Sequence, residues 1–176
     1  MYSEYLLIGE VLKPQGVHGQ VKVRPDTDDP ARFLALDHVF LKKEEKYIPC
    51  AIEKAEARTD GFVYCTLNAA TTRDDAEKQR GWMLYVDRAH AVQLEEGQYF
   101  ISDLIGCKVK DQKDELIGTL EDVLQPGAND VYQIRRADGR RMYLPVLPFV
   151  IMNVQVKEGY IVVDESRLPE VAVIED

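Results

Sequence analysis

Hydrophobic and polar positions alternate with a period of two along most of this chain. Val21 and Val23 face one way while Lys22 and Arg24 face the other, and Val131, Tyr132, Gln133, Ile134, Arg135 and Arg136 repeat the pattern. A period of two is the signature of half-buried strands. In the first half the pattern predicts strands over 5–12, from Gln20 onward, and over 39–42, 47–57, 62–67 and 82–86. In the second half it predicts them over 106–110, 116–123, 131–136, 142–145, 154–156 and 161–163. Turn chemistry punctuates the runs at Lys13–Gly19, Thr59-Asp60-Gly61, Asp111–Glu115, Pro126–Asp130, Asp138-Gly139 and Glu158-Gly159. Gly9, inside the first strand, marks a bulge or tight bend.

Two segments depart from this period. Asp29 followed by Pro30 reads as a capped helical turn. Thr72 can cap a helix that carries Asp74 and Asp75 early, Lys78 and Arg80 late, and Gly81 as its stop. That helix is expected to plug one end of a barrel. Short antiparallel strands at this spacing fold into small barrels. The expected class is therefore all-β, with two small antiparallel β-barrels: residues 1–90 with one helix, a linker at 91–97, and residues 98–176. Residues 165–176 form an acidic, proline-containing tail whose order the sequence leaves open.

Composition narrows the function. A chain of 176 residues with 45% hydrophobic and 30% charged content is that of a soluble globular protein. No apolar run approaches the ~20 residues of a membrane span, and Met1-Tyr2-Ser3-Glu4 opens no signal peptide. A cytoplasmic location is expected. Cys50, Cys65 and Cys107 stand apart without C-x-x-C spacing, so buried thiols are expected rather than disulfides or a metal site. Net charge is −9 and unevenly placed. Residues 1–90 carry 13 basic and 15 acidic side chains, net −2, and residues 91–176 carry 9 and 16, net −7. Such a balance disfavours non-specific nucleic-acid binding and favours steering toward a basic protein.

Candidate chemistry is sparse. The glycines around Gly16 and Gly19 match neither a dinucleotide fingerprint nor a Walker loop. His18 stands alone in that turn, without a local acid or nucleophile, which argues against catalysis. No catalytic or metal-binding constellation appears, so the residues point to a binding protein without enzymatic activity, cofactor or small-molecule substrate. Arg135, Arg136, Arg140 and Arg141 cluster on one hairpin, either as a solvated face offset by nearby acids or as a contact for RNA phosphate. Tyr99 and Phe100 follow the break Glu95-Glu96-Gly97. Adjacent side chains on a strand point to opposite faces, so one ring is exposed there, whereas a short helical turn would let both reach a core. Pattern alone leaves both open.

The motifs taken together resemble the RimM family of bacterial ribosome maturation factors. The matching segments are Gly9 with Gln15-Gly16-Val17-His18-Gly19-Gln20-Val21-Lys22-Val23, then Arg73-Asp74-Asp75-Ala76-Glu77 with Arg80-Gly81. Gln98-Tyr99-Phe100, Asp103-Leu104-Ile105-Gly106 and Gly127-Ala128-Asn129-Asp130-Val131 follow. The resemblance implies a translation-factor-like barrel, then a PRC barrel. It also implies binding to a basic, S19-type ribosomal protein of the small-subunit head, and help with 16S rRNA processing on the precursor small subunit and its rRNA. Tyr99 and Phe100 are then the partner-binding residues, and Asp103, Leu104 and Gly106 the scaffold that aims them. Asn129 and Asp130 form a structural turn. Gly16, His18, Gly19, Lys22, Arg24 and the four hairpin arginines are possible ribosome or RNA contacts. A monomer is expected. Two other readings stay open: an RNA-processing enzyme using His18, and a direct rRNA-binding module using Lys22, Arg24 and the arginine hairpin.

Overall fold

The computed structural model describes residues 2–175. Residues 1 and 176, the ends of the two expected domains, lie outside the described residues. Residues 4–93 form one compact unit, and residues 94–175 with residues 2–3 form another.

The first unit is a closed six-stranded barrel. Its strands are β1 (Tyr5–Gln15), β2 (Gln20–Pro25), β3 (His38–Lys43), β4 (Lys46–Ala57), β5 (Val63–Leu67) and β6 (Met83–Asp87). They close in the order β1-β2-β5-β4-β3-β6, and every pair is antiparallel. Alternation sends Leu6, Ile8, Val21, Val23, Val39, Leu41, Leu84 and Val86 into the core. The register slips between Leu7 and Gly9, so the expected bulge is there. Close approach requires glycine at this position: a Cβ on Gly9 would lie 2.9 Å from Val23 Cγ1 and 3.2 Å from Phe33 Cζ. Phe33 is fully buried and comes from a 3-10 turn, Pro30–Ala35, where the Asp29 carboxylate accepts from the Ala31 N–H at 3.1 Å. Truncating Phe33 to alanine would cost about 3–5 kcal/mol.

The expected helix is shorter than the spacing predicts. α1 covers only Arg73–Glu77 and packs against β1 and β2, burying Ala76. Thr72 and Asp75 form a reciprocal cap. Beyond Glu77 the chain tightens: the N–H of Gln79 bonds the Ala76 carbonyl at 3.1 Å, and that of Arg80 bonds Glu77 at 3.2 Å. Gly81, at φ +80, then donates to the Val11 carbonyl at 2.8 Å. Lys78 and Arg80 therefore sit in a turn rather than in a final helical turn.

In the second unit, α2 (Ile101–Leu104) precedes β7 (Lys108–Lys110), β8 (Leu116–Leu124), β9 (Val131–Arg136), β10 (Arg141–Pro145), β11 (Ile151–Gln155) and β12 (Tyr160–Val163). The seven-stranded sheet has the order β11-β12-β7-β8-β9-β10-β13, where β13 is Val173–Ile174. Every pairing is antiparallel except β12 with β7, which is parallel, with Ile161 opposite Val109. Its core comprises Leu104, Cys107, Val109, Leu120, Tyr132, Ile134, Met142, Leu144 and Ile161 among others. The tail is ordered: α3 (Leu168–Val171) packs Leu168 and Val171 on this core, and β13 pairs with β10 through Met142 opposite Ile174. β11 begins three residues before the strand predicted over 154–156 and ends one residue earlier. Cys50, Cys65 and Cys107 are buried free thiols.

Candidate functional site

The Tyr99 corner is built by a turn, a single helical turn and the end of the sheet. Gly97 takes φ +82, and the Glu95 and Gln98 groups close on each other: Gln98 N–H donates to the Glu95 carbonyl and Gln98 Oε1 accepts from the Glu95 N–H, both at 3.0 Å. The chain then runs extended through Phe100 (φ −67, ψ 132) into α2, whose Asp103 and Leu104 N–H groups donate to the Phe100 carbonyl. Neither expectation for the aromatic pair fits alone, because the pair lies before the helical turn, on extended chain. Tyr99 is exposed at 36% and Phe100 is half-buried.

Asp103 and Leu104 are buried beneath them, and the Cys107 thiol donates to the Asp103 carbonyl at 3.4 Å. Gly106, at φ +89, ends the turn and donates to the Leu120 carbonyl at 2.8 Å, which ties the segment to β8. On β9, Tyr132 is buried within reach of Tyr99 and of Asp130, which ends the Pro126–Asp130 loop. Burial pushes the Tyr132 phenol up to about 12, with Tyr99 and then Asp130 near enough to add to the rise. Tyr132 thus lies near both Tyr99 and the Asp130 carboxylate. Asp130 is itself fixed, its carbonyl accepting from Val146 N–H at 2.8 Å and its carboxylate from Gln125 Nε2 at 3.3 Å. Asn129 is exposed in the same loop. Leu124, opposite Val131 in the ladder, is exposed, as is Phe149 in the segment that follows Val146. Sequence reading missed Tyr132 as a neighbour of Tyr99. The exposure of Leu124 and Phe149 is likewise reported by no local pattern.

The basic candidates are already engaged. Arg135 and Arg141 both bridge to Glu121, the latter at 3.5 Å, and Arg141 also lies 3.9 Å from Glu175. Arg140 grips Asp138 through two nitrogens at 3.0 and 2.8 Å, with Arg136 3.7 Å from the same carboxylate. These bonds hold the Glu121 and Asp138 carboxyls below the ordinary carboxylate range. Arg136 also borders an open hollow of about 780 Å³ lined by Met142, Leu168 and Ile174.

In the first unit, Lys22 lies 3.8 Å from Asp60 and 3.8 Å from the centre of the Phe62 ring, and Arg24 pairs with Glu10. Gly16 and His18 are exposed on the β1–β2 tip, whereas Gly19 is buried. The Gly16 carbonyl accepts from Arg73 Nη1 at 3.1 Å. The structure thus places Tyr99 and Asp130 each near Tyr132, and distributes the basic residues over separate ion pairs.

The description of the RimM N-terminal domain matches residues 6–91, and that of the RimM PRC barrel domain matches residues 101–167. The chain belongs to the RimM family. A relative named ribosome maturation factor RimM, from Caldanaerobacter subterraneus subsp. tengcongensis, is 44% identical and covers 92% of this chain and 95% of its own. Another of that name, from Ruminiclostridium cellulolyticum, is 39% identical over 90% of this chain and 93% of its own. A solved RimM structure from Pseudomonas aeruginosa is 24% identical, with a TM-score of 0.45, covering 91% and 96% of the two chains. Within the RimM PRC barrel match fall α2, the Asp130 loop and the arginine hairpin, while Tyr99 and Phe100 lie just ahead of it.

Proposed function

We propose that this chain is a non-catalytic maturation factor of the small ribosomal subunit, one that docks a basic, S19-type ribosomal protein at the Tyr99 corner. The observation that carries this is the corner itself. A tyrosine exposed at 36% stands near buried Tyr132, which the Asp130 carboxylate also approaches, in the half of the chain that carries net −7. An aromatic anchor in an acidic half of the chain suits a cationic protein surface: the ring supplies buried contact and the negative charge steers. The names of the relatives, ribosome maturation factor, agree with that reading.

In this reading the factor acts in the cytoplasm as a monomer, with residues 1–90 and 98–176 as domains joined through 91–97. It helps 16S rRNA processing by holding the precursor subunit in a state that processing enzymes accept, so no bond-making step is asked of it. Direct rRNA binding by the arginine hairpin has less support, since each arginine there already faces Glu121, Asp138 or Glu175.

Capture of the full chain from a bacterial lysate, with mass spectrometry and RNA sequencing of what is retained, tests the proposal. Enrichment of the S19-type protein with 16S precursor RNA is the expected result. Retention of large-subunit components or of naked RNA alone would overturn it.

A further inference from the structure

The outer face of the first unit carries a side-chain group that the Tyr99 corner does not include. β3 and β6 alternate, so Val39, Leu41, Leu84 and Val86 fill the barrel while His38, Phe40, Tyr85 and Asp87 lie on its outside. β6 runs directly into a 3-10 turn, Arg88–His90, whose cap is Asp87. The Asp87 carboxylate accepts from the His90 N–H at 3.0 Å, and His90 Nδ1 lies 2.6 Å from the same oxygen. His38 makes the matching contact from β3, its Nδ1 hydrogen-bonded to Asp37. The two imidazoles meet edge to face with centroids 5.2 Å apart, and His38 packs in the same manner on Phe40, also at 5.2 Å. His38, Asp87 and His90 each bring one donor atom within 4.8 Å of the others.

We propose that His38, Asp87 and His90 bind one divalent transition-metal ion of the zinc class, with Asp37 positioning His38. Three features carry this beyond a chance meeting of polar groups. His38 turns Nδ1 toward Asp37, a carboxylate outside the ligand set, which is how ligating histidines are oriented and made more basic while the other nitrogen takes the metal, and His90 already holds the Asp87 oxygen beside its own ring. The donor set, two imidazoles and a carboxylate, suits Zn²⁺, Co²⁺ or Ni²⁺ and not Ca²⁺ or Mg²⁺, which take oxygen ligands. Two carboxylates surround the group, while the Arg32 guanidinium is occupied by the His90 carbonyl at 2.9 Å.

The geometry is within reach. Tetrahedral coordination at ~2.0–2.1 Å sets donors about 3.3 Å apart, so the present separations must shrink by about 1.5 Å at most. His90 is exposed on a surface turn and can swing that far, whereas His38 is held by the strand and by Phe40. Three protein ligands leave coordination positions open to water. The proposal is independent of the ribosomal reading.

Titration of the tag-free full chain with Co²⁺ and, separately, Zn²⁺ near neutral pH tests it, read by calorimetry and visible absorption. The expected result is one ion per chain, with a Co²⁺ absorption band that Zn²⁺ abolishes and Ca²⁺ leaves unchanged. His90→Ala removes an exposed ring from outside the core and should abolish binding. Asp37→Asn should keep the one-ion stoichiometry with affinity lowered about 10–100-fold. His18→Ala should bind as the parent does. Absence of stoichiometric binding, its survival in His90→Ala or in His38→Ala, or its equal loss in His18→Ala would overturn the site.

Discussion

Gly19 closes the β1–β2 hairpin with φ +84, and a methyl group added there would lie 2.2 Å from the Ala70 carbonyl oxygen and 2.8 Å from Thr71 N. Both neighbours are backbone, so no side chain can swing aside. Moving them also disturbs a cap, because Thr71 N–H donates to the Asp75 carboxylate at 3.2 Å. The left-handed conformation costs an alanine ~1–2 kcal/mol, and the overpacking adds ~1–3 kcal/mol. Gly19→Ala should therefore destabilise the first unit by about 3 kcal/mol. Gly16 supplies the control. It has φ +69 but nothing within 4 Å of a built Cβ, so Gly16→Ala should cost only ~1 kcal/mol. Urea unfolding followed by fluorescence of Trp82, the single tryptophan of the chain, reads the first unit directly. A Gly19→Ala cost below about 1 kcal/mol, or one no larger than that of Gly16→Ala, would refute the collision argument. Gly19 would then return as a candidate contact rather than a packing requirement.

Three further outcomes are expected. Burial pushes Cys50 up to about 11 and Cys65 up to about 12, and raises Cys107. A thiol reagent near pH 8 should label none of the three in the folded chain and all three after denaturation; rapid native labelling of Cys65 would contradict the barrel core. The Glu121 carboxyl, hydrogen-bonded by Arg135 above all, should titrate below the ordinary glutamate range by NMR and return toward it in Arg135→Gln. Because its folded value is lowered, the contribution of this network is complete above the ordinary range and is lost as pH falls through the lowered value; an unchanged midpoint in the variant would refute the assignment. Thr72→Ala should cost ~1 kcal/mol by removing the cap of α1, measured by the same Trp82 unfolding curve, and no loss would place the helix start elsewhere.

Strands with strict alternation were legible from sequence because packing only reinforces what the pattern demands. β9 falls where Tyr132 and Ile134 predict it, and β2 where Val21 and Val23 do. β1 runs three residues past the predicted end because Pro14, read as a turn signal, pairs with Val21 and is buried in the hairpin. β11 begins earlier than the alternation predicts because Val150, Ile151 and Met152 are apolar in succession, so no period marks its start. The parallel β12–β7 pairing joins segments some fifty residues apart, and the order of the tail depends on Leu168 and Val171 finding the second core. Neither leaves a local trace. The same holds for the sites. Tyr99 could be singled out as one of two adjacent aromatics, but its place near Tyr132 is a product of tertiary folding. For the arginine hairpin the sequence leaves open a solvated face offset by acids and an RNA contact, and only the β8–β9 ladder brings Glu121 against Arg135.

Calorimetry of the purified S19-type ribosomal protein binding to this chain, compared with the double variant Tyr99→Ala, Phe100→Ala, tests the central claim most directly. Tyr99 is exposed and Phe100 half-buried, so the variant should keep its circular dichroism spectrum. Losing an aromatic anchor should weaken binding by ~2 kcal/mol or more, roughly thirtyfold. A folded double variant that binds with the affinity of the parent would contradict the account.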